Sequence, residues 1–72
     1  MDRTPPYEQV AEHYRDAIRA GRLTVGDELP SVRRIAGQWN IATATAQRAL
    51  DLLRSEGWIE SRPGRPSVVA PR

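Results

Sequence analysis

Seventy-two residues make one small domain, which buries only about 60% of its unfolded surface and leaves no room for a separate catalytic or effector unit. With no Cys and a single His the chain offers neither a disulfide framework, nor a thiolate nucleophile, nor the ligands of a zinc finger, and no metal or other cofactor is expected. The net charge is only +2, but residues 1–30 carry −2 and residues 31–72 carry +4, every basic side chain being Arg.

Residues 1–5 are expected to form a flexible N-terminus. Pro5 and Pro6 suit the opening of a helix, where a missing N–H costs nothing. Tyr7, Val10, Ala11, Tyr14, Ala17 and Ile18 then recur at three- and four-residue steps, which predicts a first helix over about 6–20 that Gly21 ends in a left-handed cap. Glu8, Glu12, Arg15, Asp16 and Arg19 fall on its solvated face, where Glu12–Arg15 and Asp16–Arg19 can pair. Residues 22–30 read as a connector with a turn at Gly26-Asp27. Ser31 is a good N-cap for a second helix, and Pro30 forbids an earlier start. Val32, Ile35, Ala36 and Trp39 share one face of that helix, and Asn40 follows where a left-handed residue is needed. A third helix starts near Thr43, buries Ala46, Ala49, Leu50 and Leu53, and ends at Gly57. Residues 58–61 and 67–69 read as two strands joined by a loop over 62–66, and residues 71–72 as a tail. The expected fold is mainly α with a small β-hairpin: a three-helix core plus β-wing over residues 6–70, a winged helix-turn-helix.

Such a helix pair can insert its second member into a DNA major groove while the hairpin flanks it. Arg33 and Arg34 open the second helix, where positive charge opposes the helix dipole, so a phosphate-facing role explains them better than a solvated face does. Thr43, Ala44, Thr45, Gln47 and Arg48 form the leading edge of the third helix. Gln can bind adenine bidentately, Arg can bind guanine, and the Ala and Thr methyls can pack on thymine. Arg62 and Arg65 flank a Pro-Gly turn, where a hairpin tip reaching the DNA backbone would want them. Trp39 and Trp58 lie on apolar faces and read as core rather than as stacking platforms, as do Tyr7 and Tyr14; His13 reads as a surface residue. Arg54 and Asp51 read as solvated, with Asp51 able to pair with Arg48 or Arg54. One isolated His cannot complete a nucleophile–base constellation, so the chain does not read as an enzyme.

These residues resemble the DNA-binding domain of GntR-type bacterial transcription regulators. The likeness runs through Tyr7, Ile18, Gly21, Gly26-Asp27 and Leu29-Pro30-Ser31. It continues through Arg33, Ile35-Ala36, Thr45, Ala49-Leu50, Leu53 and Glu56-Gly57 to Gly64 and Val69, and so covers roughly residues 6–70. The resemblance implies that Arg33 touches DNA, that Thr45, Gln47 and Arg48 do so from the third helix, and that the wing around Gly64 follows the minor groove. There are departures. The family often has Arg at the positions of Thr43 and Gln47, and Ser where Ala42 stands, leaving Thr43 as the alternative cap. Its wing tip commonly reads Gly-x-Gly-Thr-aromatic-Val, against Gly64-Arg65-Pro66-Ser67-Val68-Val69 here. Family members usually continue into a larger C-terminal domain, so the chain is either an isolated N-terminal domain or a free-standing small regulator.

The expected function is sequence-specific binding of double-stranded DNA by a transcription regulator, a repressor rather than an activator, with two copies pairing as a homodimer on a two-fold site. No small-molecule effector site is expected within this chain. With neither a long apolar run nor a signal-peptide pattern, no membrane partner is expected and the location is cytoplasmic. Two alternatives stay open: a phage or plasmid protein that shapes DNA or directs recombination through the same surface, and a winged-helix protein-interaction module.

Overall fold

A proline nitrogen loses nothing at the first turn of a helix, and helix α1 accordingly spans Pro6–Arg19, with both Pro5 and Pro6 at its opening. The structure is a computed structural model that describes residues 4–71. Met1 to Arg3, expected to belong to a flexible N-terminus, and Arg72, expected to belong to a C-terminal tail, lie outside the described residues. Thr4 is held by its carbonyl, which accepts a hydrogen bond from the Gln9 side chain at 2.8 Å. At the other end of α1, the Gly21 N–H bonds to the Ile18 carbonyl at 3.2 Å and the Arg22 N–H to the Ala17 carbonyl at 2.9 Å. This reciprocal pair satisfies two of the carbonyls that the helix leaves free.

Helix α2 spans Val32–Trp39, and the Ser31 hydroxyl accepts from the Arg34 N–H at 3.2 Å as an N-cap should. Asn40 takes the left-handed conformation, φ 54°, and turns the chain out of the helix. Helix α3 spans Thr43–Ser55. Its N-cap is Ala42, and no side chain caps it; Thr43 lies inside the helix and does not take over. Ala42→Ser is therefore expected to stabilise the domain by about 1 kcal/mol, the usual worth of a hydroxyl cap. That should raise the thermal midpoint by roughly 4–8 °C, read by circular dichroism. An unchanged midpoint would mean that the α3 donors already have solvent partners of equal quality. After α3, Gly57 adopts φ +82°, where a β-carbon would be strained, and this brings the Trp58 N–H to the Leu53 carbonyl at 3.0 Å.

The three helices close on one core. Val10, Ala11 and Tyr14 come from α1, Ile35 and Ala36 from α2, and Ala46, Ala49, Leu50 and Leu53 from α3. Leu29, Ile59 and Val69 seal its other side. Ala46 and Ala49 are fully buried, and their small side chains let the helices approach closely. Burial pushes the Tyr14 phenol above its ordinary range, while a hydrogen bond with the Trp39 side chain pulls the other way. Tyr7, Trp39 and Trp58 pack against this core half-buried rather than inside it. His13 is exposed, with its ring edge-on to Tyr14 and Trp39 at 5.0 and 5.3 Å. Arg15 pairs with Glu56 at 3.0 Å rather than with Glu12, tying α1 to the end of α3, whereas Asp16–Arg19 forms as expected at 3.6 Å.

The hairpin is longer and tighter than the expected loop over 62–66 allows. Strand β1 spans Ile59–Arg62 and β2 spans Arg65–Val69, antiparallel, with Ile59 opposite Val69 and Arg62 opposite Arg65. Only Pro63 and Gly64 remain as the turn. Proline presets the first corner and Gly64, at φ +66°, supplies the second. Between Glu60 and Arg62 the register slips, so that β2 uses one more residue than β1. Pro66 falls in that stretch, where its lack of an N–H breaks no regular ladder bond.

The segment read as a connector is also part of this sheet. Gly26 donates to the Val69 carbonyl at 3.0 Å, Val69 donates to Asp27 at 2.9 Å, and Leu29 donates to Ser67 at 2.8 Å. The expected turn precedes this pairing: Asp27 N–H bonds to the Thr24 carbonyl, and the Asp27 carboxylate accepts from the Thr24 N–H, each at 2.9 Å. Among the described residues, no helix is long and apolar enough to cross a membrane.

Candidate nucleic-acid interface

Helix α3 turns Ala46, Ala49, Leu50 and Leu53 inward, with Leu52 packed half-buried beside them, so its polar residues lie on the outer face. Thr43, Ala44, Gln47 and Arg48 are exposed, and Thr45 is half-buried. The outer face has two edges with different chemistry. Along the edge toward the hairpin, the Gln47 amide donates to the Asp51 carboxylate at 2.9 Å. The same Asp51 oxygen accepts from Arg54 at 2.9 Å, so of the two partners open to Asp51 it is Arg54 that pairs. Along the edge toward α1, the Arg48 guanidinium lies over the Tyr7 ring, 4.2 Å from its centre. The Tyr7 hydroxyl donates in turn to Glu8 at 3.3 Å.

Arg33 and Arg34 are exposed in the first turn of α2, which holds no acid. The wing carries Arg62, paired with Glu60 at 2.8 Å, and the exposed Arg65. An open groove runs between these parts. Its walls are Ser31 and Val32 at the start of α2, Gln47 and Arg54 on α3, and Arg62, Gly64 and Arg65 on the wing. A neighbouring depression places Arg34 beside Pro66. Gln47, Arg62, Gly64 and Arg65 thus meet around one groove with Arg34 at its margin, whereas Arg48 lies along the other edge of α3. Thr43 and Ala44 stand at the start of α3, and Arg33 on the exposed start of α2. Among the described residues, Arg33, Arg34, Arg48 and Arg65 have no ion-pair partner. Four positive side chains on these elements are therefore unneutralised by the protein itself.

Three residues that sequence reasoning assigned to core or solvent belong to this surface: Tyr7, Asp51 and Arg54. Gln47, Asp51 and Arg54 stand at i, i+4 and i+7, a spacing that places them on one helix edge. No local spacing links Tyr7 to Arg48. The stacked pair is expected to contribute about 0.5–1 kcal/mol, the range for an exposed cation over an aromatic ring. A double-mutant cycle of Tyr7→Leu and Arg48→Ala, followed by urea unfolding, should return a coupling of that size, and Tyr7→Phe should retain it. A coupling of zero would remove the stacking from the account.

Two short helices joined by the turn Asn40-Ile41-Ala42, with an arginine-bearing hairpin beside the second, define a winged helix-turn-helix DNA-binding domain. Residues 6–69 match the family described as bacterial regulatory proteins, gntR family, and the chain belongs to that family. An uncharacterized HTH-type transcriptional regulator of Bacillus subtilis, YhdI, is 39% identical over 61 residues, covering 85% of this chain and 13% of its own length. The chain therefore corresponds to a small part of that relative. Among solved structures, YtrA from Sulfolobus acidocaldarius, a GntR-family transcription factor, superposes with a TM-score of 0.92 at 34% identity, over 99% of this chain and 74% of that one. The DNA-binding domain of AraR in complex with its operator ORR3 superposes with a TM-score of 0.89 at 26% identity, over 96% of this chain and 83% of that one.

Proposed function

We propose that residues 6–70 read a specific duplex DNA sequence for a cytoplasmic transcription regulator, with α3 in the major groove and the wing along the adjacent minor groove. One observation carries this reading. Gln47 on α3 and the wing arginines Arg62 and Arg65 border one open groove, with Arg34 of α2 in the depression beside it. Arg33 and Arg34 hold the phosphate backbone. Thr43, Ala44, Thr45, Gln47 and Arg48 face the base edges and flanking phosphates, and Arg62, Gly64 and Arg65 follow the minor groove, whose narrow stretches attract arginine. The operator-bound AraR domain, alike in fold, supports binding to duplex DNA.

One domain makes too few contacts for tight selective binding, so two copies on a two-fold site supply the affinity. Repression is the favoured outcome, because occluding a promoter requires only the DNA-binding surface, whereas activation requires a further surface for the polymerase. The test is titration with mixed-sequence duplex DNA at low salt, followed by amide chemical shifts. Residues 33–34, 43–48 and 62–65 are expected to move while the outer face of α1 stays still. Unmoved amides at 33 and 43–48 would overturn the proposal.

A further inference from the structure

We infer that Asp51 is a specificity-determining residue: it fixes the orientation of the Gln47 amide and so makes this position select adenine over guanine. The inference rests on the DNA-reading role proposed for α3. A carboxylate accepts hydrogen bonds and cannot donate them, so the group that Gln47 presents to Asp51 must be its amide nitrogen. Arg54 holds Asp51 from behind through the same oxygen at 2.9 Å. The Arg54 Nε is closed off from solvent, while its terminal nitrogen makes this bond. The Gln47 amide oxygen has no protein partner among the described residues and is left for the DNA.

An unpartnered acceptor on an exposed residue, beside a second, unused N–H, matches one base edge in the major groove. Adenine offers the N6 amino group to the amide oxygen and N7 to the remaining N–H. Guanine offers two acceptors, O6 and N7, and would confront oxygen with oxygen. Accommodating guanine means turning the amide over, which breaks the bond to Asp51 and puts the Gln47 oxygen against a carboxylate. Thymine presents O4, again an acceptor, and cytosine has no N7 to take the second N–H. Asp51 touches no base in this account; it acts through Gln47, as a positioning residue.

The experiment is selection of bound sequences from a random duplex pool with the full chain and with its Gln47→Ala, Asp51→Asn and Asp51→Glu variants, followed by competition between matched duplexes. The position read by Gln47 is the one whose preference disappears in Gln47→Ala. Adenine is expected there in the unaltered chain, favoured over guanine by about tenfold or more, the discrimination typical of a bidentate pair. In Asp51→Asn, whose side chain can either donate or accept, the ratio is expected to fall to within about threefold. Other positions should be unchanged, and Asp51→Glu should keep the adenine preference. Loss of a negative charge tightens binding to all sequences alike, so the ratio and not the affinity is the readout. An unchanged ratio in Asp51→Asn, guanine at the Gln47-dependent position, or no position lost in Gln47→Ala overturns this inference alone. A chain that selects no sequence at all overturns the DNA-reading proposal, and this inference with it.

Discussion

Leu53→Ala is expected to cost about 2–5 kcal/mol of folding stability, the range for truncating a buried leucine to alanine. Leu53 is fully buried on α3, in the core shared with α1 and β1, so the space it leaves has walls of three elements and cannot collapse freely. Its carbonyl also receives the Trp58 N–H that starts the wing, so a shift of this turn reaches the hairpin. A domain of this size stands near the low end of the usual 5–15 kcal/mol, and the substitution removes a large share of that. Urea unfolding followed by circular dichroism should show a much lower midpoint with an unchanged slope. A loss below about 1 kcal/mol would show that α3 can settle into the vacated volume.

The second large effect is expected in DNA binding. If Arg33, Arg34, Arg48 and Arg65 each meet a phosphate, log K should fall with log salt at a slope of about −3.6. Affinity then drops roughly 10²-fold between 50 and 200 mM salt. Arg33→Ala should flatten the slope by about one and weaken all sequences equally, because a phosphate contact carries no base information. Gln47→Ala should leave the slope alone and cost about 1–3 kcal/mol on the preferred site only. Fluorescence anisotropy across a salt series measures all of these. A slope shallower than about −1 would mean that most of these arginines point away from the DNA.

Periodicity and capping chemistry suffice to place the helices of this chain. Proline at 5 and 6, Ser31, Asn40, and the glycines at 21 and 57 each act within one turn of their own position, so their effect is written locally. The strands are less legible. The sequence RPGRP reads as a loop because it holds two prolines, yet a two-residue turn needs only Pro63-Gly64, and the register slip accommodates Pro66. Pairing of residues 26–29 with β2 is carried by backbone groups, which no side-chain pattern reports. The polar face of α3 and the arginines around it are readable because charge placed against a helix dipole needs an explanation beyond local structure. The arrangement of that face is not readable: Arg15 finds Glu56, and Arg48 finds Tyr7, through contacts made only once the helices have packed.

The backbone bonds that join residues 26–29 to residues 67–69 have a consequence for synthesis. They join a segment made early to almost the last residues described, and Ile59 and Val69 close the core that α1, α2 and α3 leave open. A chain emerging from the ribosome can form its helices one by one, but it has no partner for the edge at residues 26–29 until β2 has cleared the exit tunnel. Until then Leu29 and the side of the helical core that Ile59 and Val69 seal stay uncovered. The strand made last is thus the one that completes the core, after all three helices have been made.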